Sequence, residues 1–391
     1  MKIAILTSGR LPVPAVKGGA VENLLDFCLA YNDTHRLHDI TVYSMAHPQA
    51  EVHEAIKSTI NHYRFIDLNS FWSKVCKKIY SWRHANGYYD STTEYFLWRI
   101  IQDIKKSHYD LLLIENRPGY VLRLKSLGVP MVIHQENDYL NNKVRQYQEI
   151  YDGTSLIINT SEYVTRCVRS INSNDSKCVT VLNGIDTRRF YDAQPKERQA
   201  LGLHSEDFVI VYSGRLTPEK GILELIEAIG QTTCRKHIKL LVIGASFYGN
   251  DTHQSPFAER LEKACEDIRE QVIFTGFVDY QQIPSYLKAG DLAIVPSLWE
   301  EPFGLTVAEA MAAGLPLITT ISGGIPEICE GVATLVEREQ LTKQLATAID
   351  DLFESPAKRK EMAEASLKRS LQFDKDTYAK EYFAALNTLT L

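Results

Sequence analysis

The sequence predicts an α/β protein made of two Rossmann-like, doubly wound parallel-sheet domains facing a central cleft. Three observations carry that reading. Short apolar, β-branched runs alternate with longer helical patterns along the whole chain, as βαβ units require. The runs are continuous rather than alternating in polarity, which suits strands covered on both faces. The chain has 391 residues, more than the roughly 250–300 at which one hydrophobic core usually stops growing.

In order, the first half predicts strands at 2–6, 40–44, 110–114, 129–133, 156–159 and 179–182. The second half predicts strands at 209–212, 239–243, 272–274, 292–295, 317–319 and 334–336. Between the two series lies GIDTRRFYDAQPKERQALGLHSED, residues 184–207, charged and interrupted by Pro195. The expected domains are therefore 1–190 and 191–374. A last helix near 376–389 follows a completed second sheet, and the segment 375–391 is assigned to the first domain.

Composition narrows the function. At 45% hydrophobic and 24% charged residues the chain reads as globular, and no apolar run approaches the ~20 residues of a membrane span. The N-terminal apolar run ends at Thr7, too short for a signal sequence. Seven scattered cysteines without a Cys-x-x-Cys suggest reduced thiols in a cytosolic protein and no zinc site. The net charge of −6 is uneven: residues 1–190 carry 23 Lys and Arg against 19 Asp and Glu, the remainder 20 against 30. The two halves should meet different partners. Nucleic acid is not among them, since no domain is dominated by basic residues.

In open parallel sheets ligands bind beyond the C-terminal strand ends, so three loops matter most. In TSGRLPVPAVKGGAVENLL, Gly18 and Gly19 precede a helix whose unpaired N–H groups favour an anion. In YSGRLTPEKGILELI a strand ends at Ser213-Gly214, and Arg215 and Lys220 flank a Pro-containing turn, a spacing that can grip neighbouring phosphates. In PSLWEEPFGLTVAEAMAAGLP, Pro302 and Gly304 hold Glu301 in a loop while Glu309 sits about one turn into a helix apolar on every side. A buried carboxylate is costly without polar company, and vicinal sugar hydroxyls are natural donors to it. The amides around Phe303, Gly304 and Leu305 remain open for a phosphate. Glu300 reads as a solvated acid. No Gly-x-Gly-x-x-Gly occurs, the glycines of GASFYGND lack the P-loop Lys, and Asp374-Lys375-Asp376 reads as a helix cap, so neither a dinucleotide cofactor nor a metal is expected.

With these residues in hand, the chain resembles the retaining glycosyltransferases of family four, glycosyltransferase group 1, which have the GT-B fold. The resemblance rests on Glu-x7-Glu in EPFGLTVAE (Glu301, Glu309), followed by AMAAGLPLI, with GRLTPEKG, FTGFV, VLNGID and the N-terminal Gly pair in order. It implies a metal-independent hexosyltransferase that moves a sugar from a nucleotide sugar to a glycan or glycolipid, UDP being the first choice of nucleotide and GDP the second. It implies that Glu301 holds hydroxyls of the transferred sugar and Glu309 those of the ribose. Arg215 and Lys220 would neutralise the diphosphate, with backbone groups near Gly19, Gly214, Phe303, Gly304 and Leu305 adding hydrogen bonds. Phe277 and Val278 would hold the base. The family's usual strand-end His falls on Glu136 in GVPMVIHQEND, with His134 two residues earlier, so the sugar contact passes to one of these two. Two rivals on the same fold are a sugar-nucleotide epimerase and a non-catalytic sugar-nucleotide-binding scaffold.

The segment FWSKVCKKIYSWRHANGYY brings Lys74, Lys77, Lys78 and Arg83 together with Phe71, Trp72, Val75, Ile79, Tyr80 and Trp82 at near-helical spacing. Two readings stand: a helix over 71–84 resting peripherally on anionic lipid at the inner face of a membrane, or one packed on its own sheet with a solvated basic face.

Overall fold

The computed structural model describes residues 1–83, 87–244 and 256–389. The chain divides into one unit of Met1–Gly184 with Lys375–Leu391 and another of Ile185–Asp374.

Unit one is a seven-stranded parallel sheet. Its strands are β1 (Lys2–Leu6), β2 (Asp39–Met45), β3 (Asn61–Ile66), β4 (Leu111–Glu115), β5 (Met131–Gln135), β6 (Leu156–Asn159) and β7 (Cys178–Thr180), in the order β3-β2-β1-β4-β5-β6-β7. The central strands are buried along their full length, as their unbroken apolar runs require. β3 is the strand the sequence did not predict. NHYRFI sits at an edge with one neighbour, and its middle residues stay partly exposed, so its composition is polar. β5 begins two residues later than predicted, beyond Pro130, which has no N–H to donate to a ladder. The helices α1 (Ala20–His35), α2 (Phe71–Arg83) and α3 (Ser91–Ile104) follow β1 and β3. The last helix, Lys375–Leu386, packs on α1 and buries Tyr378, Tyr382 and Phe383 in this unit.

Unit two has six parallel strands: β8 (Phe208–Ser213), β9 (Ile238–Ile243), β10 (Val272–Phe274), β11 (Leu292–Val295), β12 (Leu317–Thr320) and β13 (Thr334–Val336), in the order β10-β9-β8-β11-β12-β13. Its core joins the sheet to the helices Ile222–Gln231 and Leu341–Glu354 through residues such as Ile210, Leu225, Ile294, Leu345 and Ile349. In each unit the strand order reverses once, between β1 and β4 and between β8 and β11. The connections diverge there, leaving a crevice beyond the strand ends. His84 of the segment 71–84, residues 245–251 of GASFYGND and the final two residues lie outside the described residues.

Candidate active site

In unit two the reversal point places the loop after β8 beside the loop after β11. The Tyr212 hydroxyl donates to the Arg215 carbonyl at 2.8 Å and fixes the exit of β8. A short turn, Pro218–Lys220, ends on Gly221 at φ 69°, where a Cβ would lie 1.9 Å from the Pro296 carbonyl oxygen. Only glycine lets the two loops approach so closely. The amide of Leu298 seals the contact by donating to the Glu219 carbonyl at 2.9 Å.

This approach brings Lys220 to Glu301. The ammonium lies 2.5 Å from Glu301 Oε1, and the Ser297 hydroxyl donates to the same oxygen at 2.7 Å. The two side chains are 22% and 11% exposed, so the pair is shielded yet still reaches solvent. Glu301 Oε2 has no protein partner among the described residues. One oxygen is thus oriented and the other can accept from a ligand. The backbone of Glu301 is fixed by Gly323 and Gly324: the Gly324 amide donates to the Glu301 carbonyl at 2.7 Å, and a Cβ on Gly323 (φ 55°) would meet that carbonyl oxygen at 2.1 Å. Arg215 lies on the same loop, 53% exposed, with only a loose 3.8 Å approach to Glu219. Glu300 departs from expectation. It is tied to Arg338 at 2.5 Å and accepts from the Gly323 amide at 2.6 Å, so it braces the loop rather than facing water alone.

Phe303 is buried, and Gly304 (φ 102°) opens the helix Leu305–Ala312. Its first amides, Leu305 and Thr306, precede the first intrahelical hydrogen bonds and have no acceptor among the described residues. Glu309 is buried on this helix beside the Tyr280 hydroxyl, which is hydrogen-bonded to its carboxylate, and Arg189 lies near enough to lower its pKa. Burial outweighs both and raises the carboxyl from its usual value to about 7. The Arg189 guanidinium also stands 4.8 Å over the Tyr280 ring. Tyr280 and Arg189 are the polar company that the apolar helix demanded, and the sequence reading named neither. Phe277, beyond β10, is 53% exposed, and Val278 is half-buried. The structure therefore joins Lys220 and Glu301 directly, with Arg215 on the same loop as Lys220, whereas Glu309 has partners of its own.

In unit one Gly18 and Gly19 precede α1 as expected, but the turn also holds an acid the sequence reading passed over. Glu22 is buried, takes a 3.4 Å hydrogen bond from Ser8, and would collide with any Cβ on Gly19. Burial raises its carboxyl to about 7. His134 lies between two acids. Its Nδ1 is 2.8 Å from Glu115 Oε2, and its Nε2 is 3.1 Å from Glu136 Oε1, although off the line of a good hydrogen bond. All three side chains are buried. Burial alone would lower the imidazole pKa, but the flanking carboxylates, Glu115 foremost, raise it to about 9. Tyr382 donates to Glu115 at 3.0 Å and Asn183 to Glu136 at 2.6 Å, while burial still holds the Glu136 carboxyl above its usual value. Both imidazole nitrogens thus face carboxylates. Glu115 and Tyr382 escaped notice because each looks like an ordinary strand or helix residue in isolation.

Residues 193–369 match the family "Glycosyl transferases group 1". That segment belongs to the family, and the chain is a glycosyltransferase that works from a nucleotide sugar. Spore coat protein SA of Bacillus subtilis is 28% identical, over 94% of this chain and 93% of the relative. The lipopolysaccharide 1,2-N-acetylglucosaminetransferase of Salmonella typhimurium is 31% identical over 65% of each chain. Among solved structures, Anabaena HepE in complex with UDP superposes with a TM-score of 0.75 at 20% identity, covering 100% of both chains. That likeness establishes the shared GT-B fold.

Proposed function

We propose that the glycosyltransferase uses a UDP-sugar and transfers the sugar with retention, without a metal ion, to a glycan or glycolipid. The observation that carries this reading is the Lys220–Glu301–Ser297 cluster at the β8/β11 crevice, with Arg215 on the same loop. Arg215 and Lys220 present two cations where a diphosphate leaves. As the glycosidic bond breaks, negative charge accumulates on the leaving group, and preplaced cations stabilise it more than they stabilise the ground state. Glu301 Oε2 accepts hydroxyls of the transferred sugar, and Glu309 accepts those of the ribose. The amides of Phe303, Gly304 and Leu305 meet the phosphates, and Phe277 and Val278 meet the base. Neither Glu136 nor His134 is given the sugar contact: with Glu115, Tyr382 and Asn183 they form a buried network that positions the strand end. UDP is favoured by the complexes of HepE with UDP and with UDP-glucose. Unit two binds the donor and unit one the acceptor.

The lipid reading of α2 gains support. Phe71, Trp72, Ile79 and Trp82 are 72%, 74%, 49% and 82% exposed, beside exposed Lys74 and Lys78, while Ser73 and Tyr80 face inward. A helix packed on its own sheet would bury those aromatics. Among the described residues no helix is long and apolar enough to cross a membrane, so contact through α2 is peripheral, at the inner face.

A thermal-shift panel of UDP, GDP, ADP and dTDP tests the donor. UDP should stabilise most, and release of free UDP from a UDP-sugar should follow. A protein stabilised by none of the four would overturn the reading. Co-sedimentation with anionic but not neutral vesicles, lost when Lys74, Lys77 and Lys78 become Gln, is expected for α2; equal sedimentation with both would refute the contact.

A further inference from the structure

Three segments of unit two, far apart in sequence, converge on the buried Glu309. The short helix Thr187–Tyr191 is capped by Asp186, whose side chain accepts from the Arg189 amide at 3.3 Å. It packs on the helix Leu305–Ala312, which carries Glu309, and on the helix Ile283–Leu287, which follows Tyr280. Phe190 is fully buried and meets the Tyr280 ring in a T-shaped contact at 6.3 Å. The Arg189 guanidinium stands 4.8 Å over the same ring. The ring is thus fixed by an aromatic neighbour and a cation, and its hydroxyl is bonded to the Glu309 carboxylate. Burial, with Glu309 beside it, holds the Tyr280 phenol well above its usual pKa, so it keeps its proton and acts as a donor.

One guanidinium nitrogen of Arg189, Nη2, is buried without a hydrogen-bond partner. A donor left in that state costs stability, a cost that a side chain serving the fold alone has no reason to carry. What the arrangement supplies is positive charge and a hydrogen-bond donor beside a buried acid. Both favour the charged carboxylate against the burial that raises it to about 7. The other groups around the Glu309 helix are engaged or turned to water. On the helix Pro356–Ser370, Arg359 and Arg369 donate to carbonyl oxygens, and Lys358, Lys360, Glu361, Glu364 and Lys368 are exposed. On the helix Ile325–Cys329, Glu327 is half-buried and the Cys329 thiol is kept protonated by burial. Arg188 and Tyr191 are exposed, and β11 and β12 carry no charged residue. Among the described residues, Tyr280 and Arg189 are the groups that act on Glu309.

We infer that Tyr280 and Arg189 are positioning residues for the nucleotide: they hold the Glu309 carboxylate in place to accept two ribose hydroxyls, and so set the preference for ribonucleotides. A carboxylate has about four acceptor positions, of which the Tyr280 proton takes one, so two vicinal hydroxyls can still be accommodated. An ionised carboxylate takes both hydroxyl protons, whereas a protonated one gives up an acceptor position to its own O–H. The inference rests on the reading of Glu309 as the ribose acid.

The test uses the full-length protein and two readouts. The first follows Glu309 without ligand, through the carbon resonance of its side-chain carboxyl, identified by its absence from Glu309→Gln. It should titrate near pH 7 in the wild type and at higher pH in Tyr280→Phe and Arg189→Gln. The second is calorimetry with UDP and 2′-deoxy-UDP from about pH 6 to about pH 9, read against Glu309→Gln. Near neutrality Tyr280→Phe and Arg189→Gln should bind UDP about three- to tenfold more weakly than the wild type and discriminate less against the deoxynucleotide. Most of that loss should be recovered at the alkaline end. Arg189→Lys keeps the charge and should stay near the wild type in both readouts. Equal weakening at every pH, or an unmoved carboxyl resonance in both variants, would overturn the inference. A moved resonance with UDP binding unchanged in every variant, Glu309→Gln included, would instead overturn the ribose reading and confine the pair to the fold, so the two failures are distinguishable. Tyr280→Phe removes one oxygen and keeps the ring, so the test stays readable if Arg189→Gln fails to fold.

Discussion

The His134 cluster of unit one and the Lys220 cluster of unit two are both strand-end ion networks, yet they are built to opposite ends. Around His134 the nitrogens face Glu115 and Glu136, and the outer oxygens of those acids are taken by Tyr382 and Asn183, all away from water. Around Lys220 the pair keeps access to solvent, and one carboxylate oxygen of Glu301 has no protein partner among the described residues. A closed network stabilises the fold and positions its loops; an open one is available to a ligand. Deleting a member should therefore damage stability in the first case and turnover in the second.

The largest effect expected is on His134→Ala, which leaves two buried acids without their cation. Breaking a buried pair in this way costs about 3–5 kcal/mol, read as a lower denaturant midpoint. A loss under about 1 kcal/mol would erase the contrast with unit two. Glu301→Gln comes next: transfer should fall ~10²–10³-fold with little change in the denaturation curve. Unaltered turnover, or unfolding in place of inactivity, would make Glu301 structural.

Protonation sharpens the same contrast. The folded His134 value of about 9 lies above the ordinary 6.5, so its stabilisation is fully present below pH 6.5 and is lost as pH rises through 9. Melting temperature should drop between pH 7 and 10, and His134→Gln should flatten that drop. Glu309 works in the other direction on binding. Its folded value of about 7 means that the carboxyl keeps its proton until near neutrality. Hydroxyl donors favour the ionised form, so UDP affinity should rise from pH 6 to 8, by up to about tenfold per unit below the pKa. In Glu309→Gln this dependence should vanish, along with the preference for ribose over deoxyribose nucleotides. The smallest effect belongs to Glu300→Gln, which loosens a half-exposed brace to Arg338; KM for the donor should rise a few-fold with kcat nearly intact.

The sequence showed much of this because continuous apolar strands leave no ambiguity. Leu156–Asn159, Val272–Phe274 and Leu292–Val295 fall where their runs place them. β3 was hidden because an edge strand need not be apolar, and the β5 boundary moved because Pro130 has no N–H to donate, although its carbonyl accepts from Leu112. As candidates, Arg215, Lys220, Glu301 and Glu309 were legible from loop position and residue type. Their partners were not. Tyr280 and Arg189 meet Glu309 only through packing of distant segments, and Glu115 becomes notable only when β4 lies beside β5 with His134 opposite it. Burial patterns within one element do not encode such pairings.

The central claim is that the β8/β11 crevice grips a nucleotide diphosphate through Arg215 and Lys220. Calorimetric titration of UDP into the wild type, Arg215→Ala and Lys220→Ala tests it most directly. Binding to the wild type and at least tenfold weaker binding to each variant is the predicted result; equal affinity in all three proteins would contradict it.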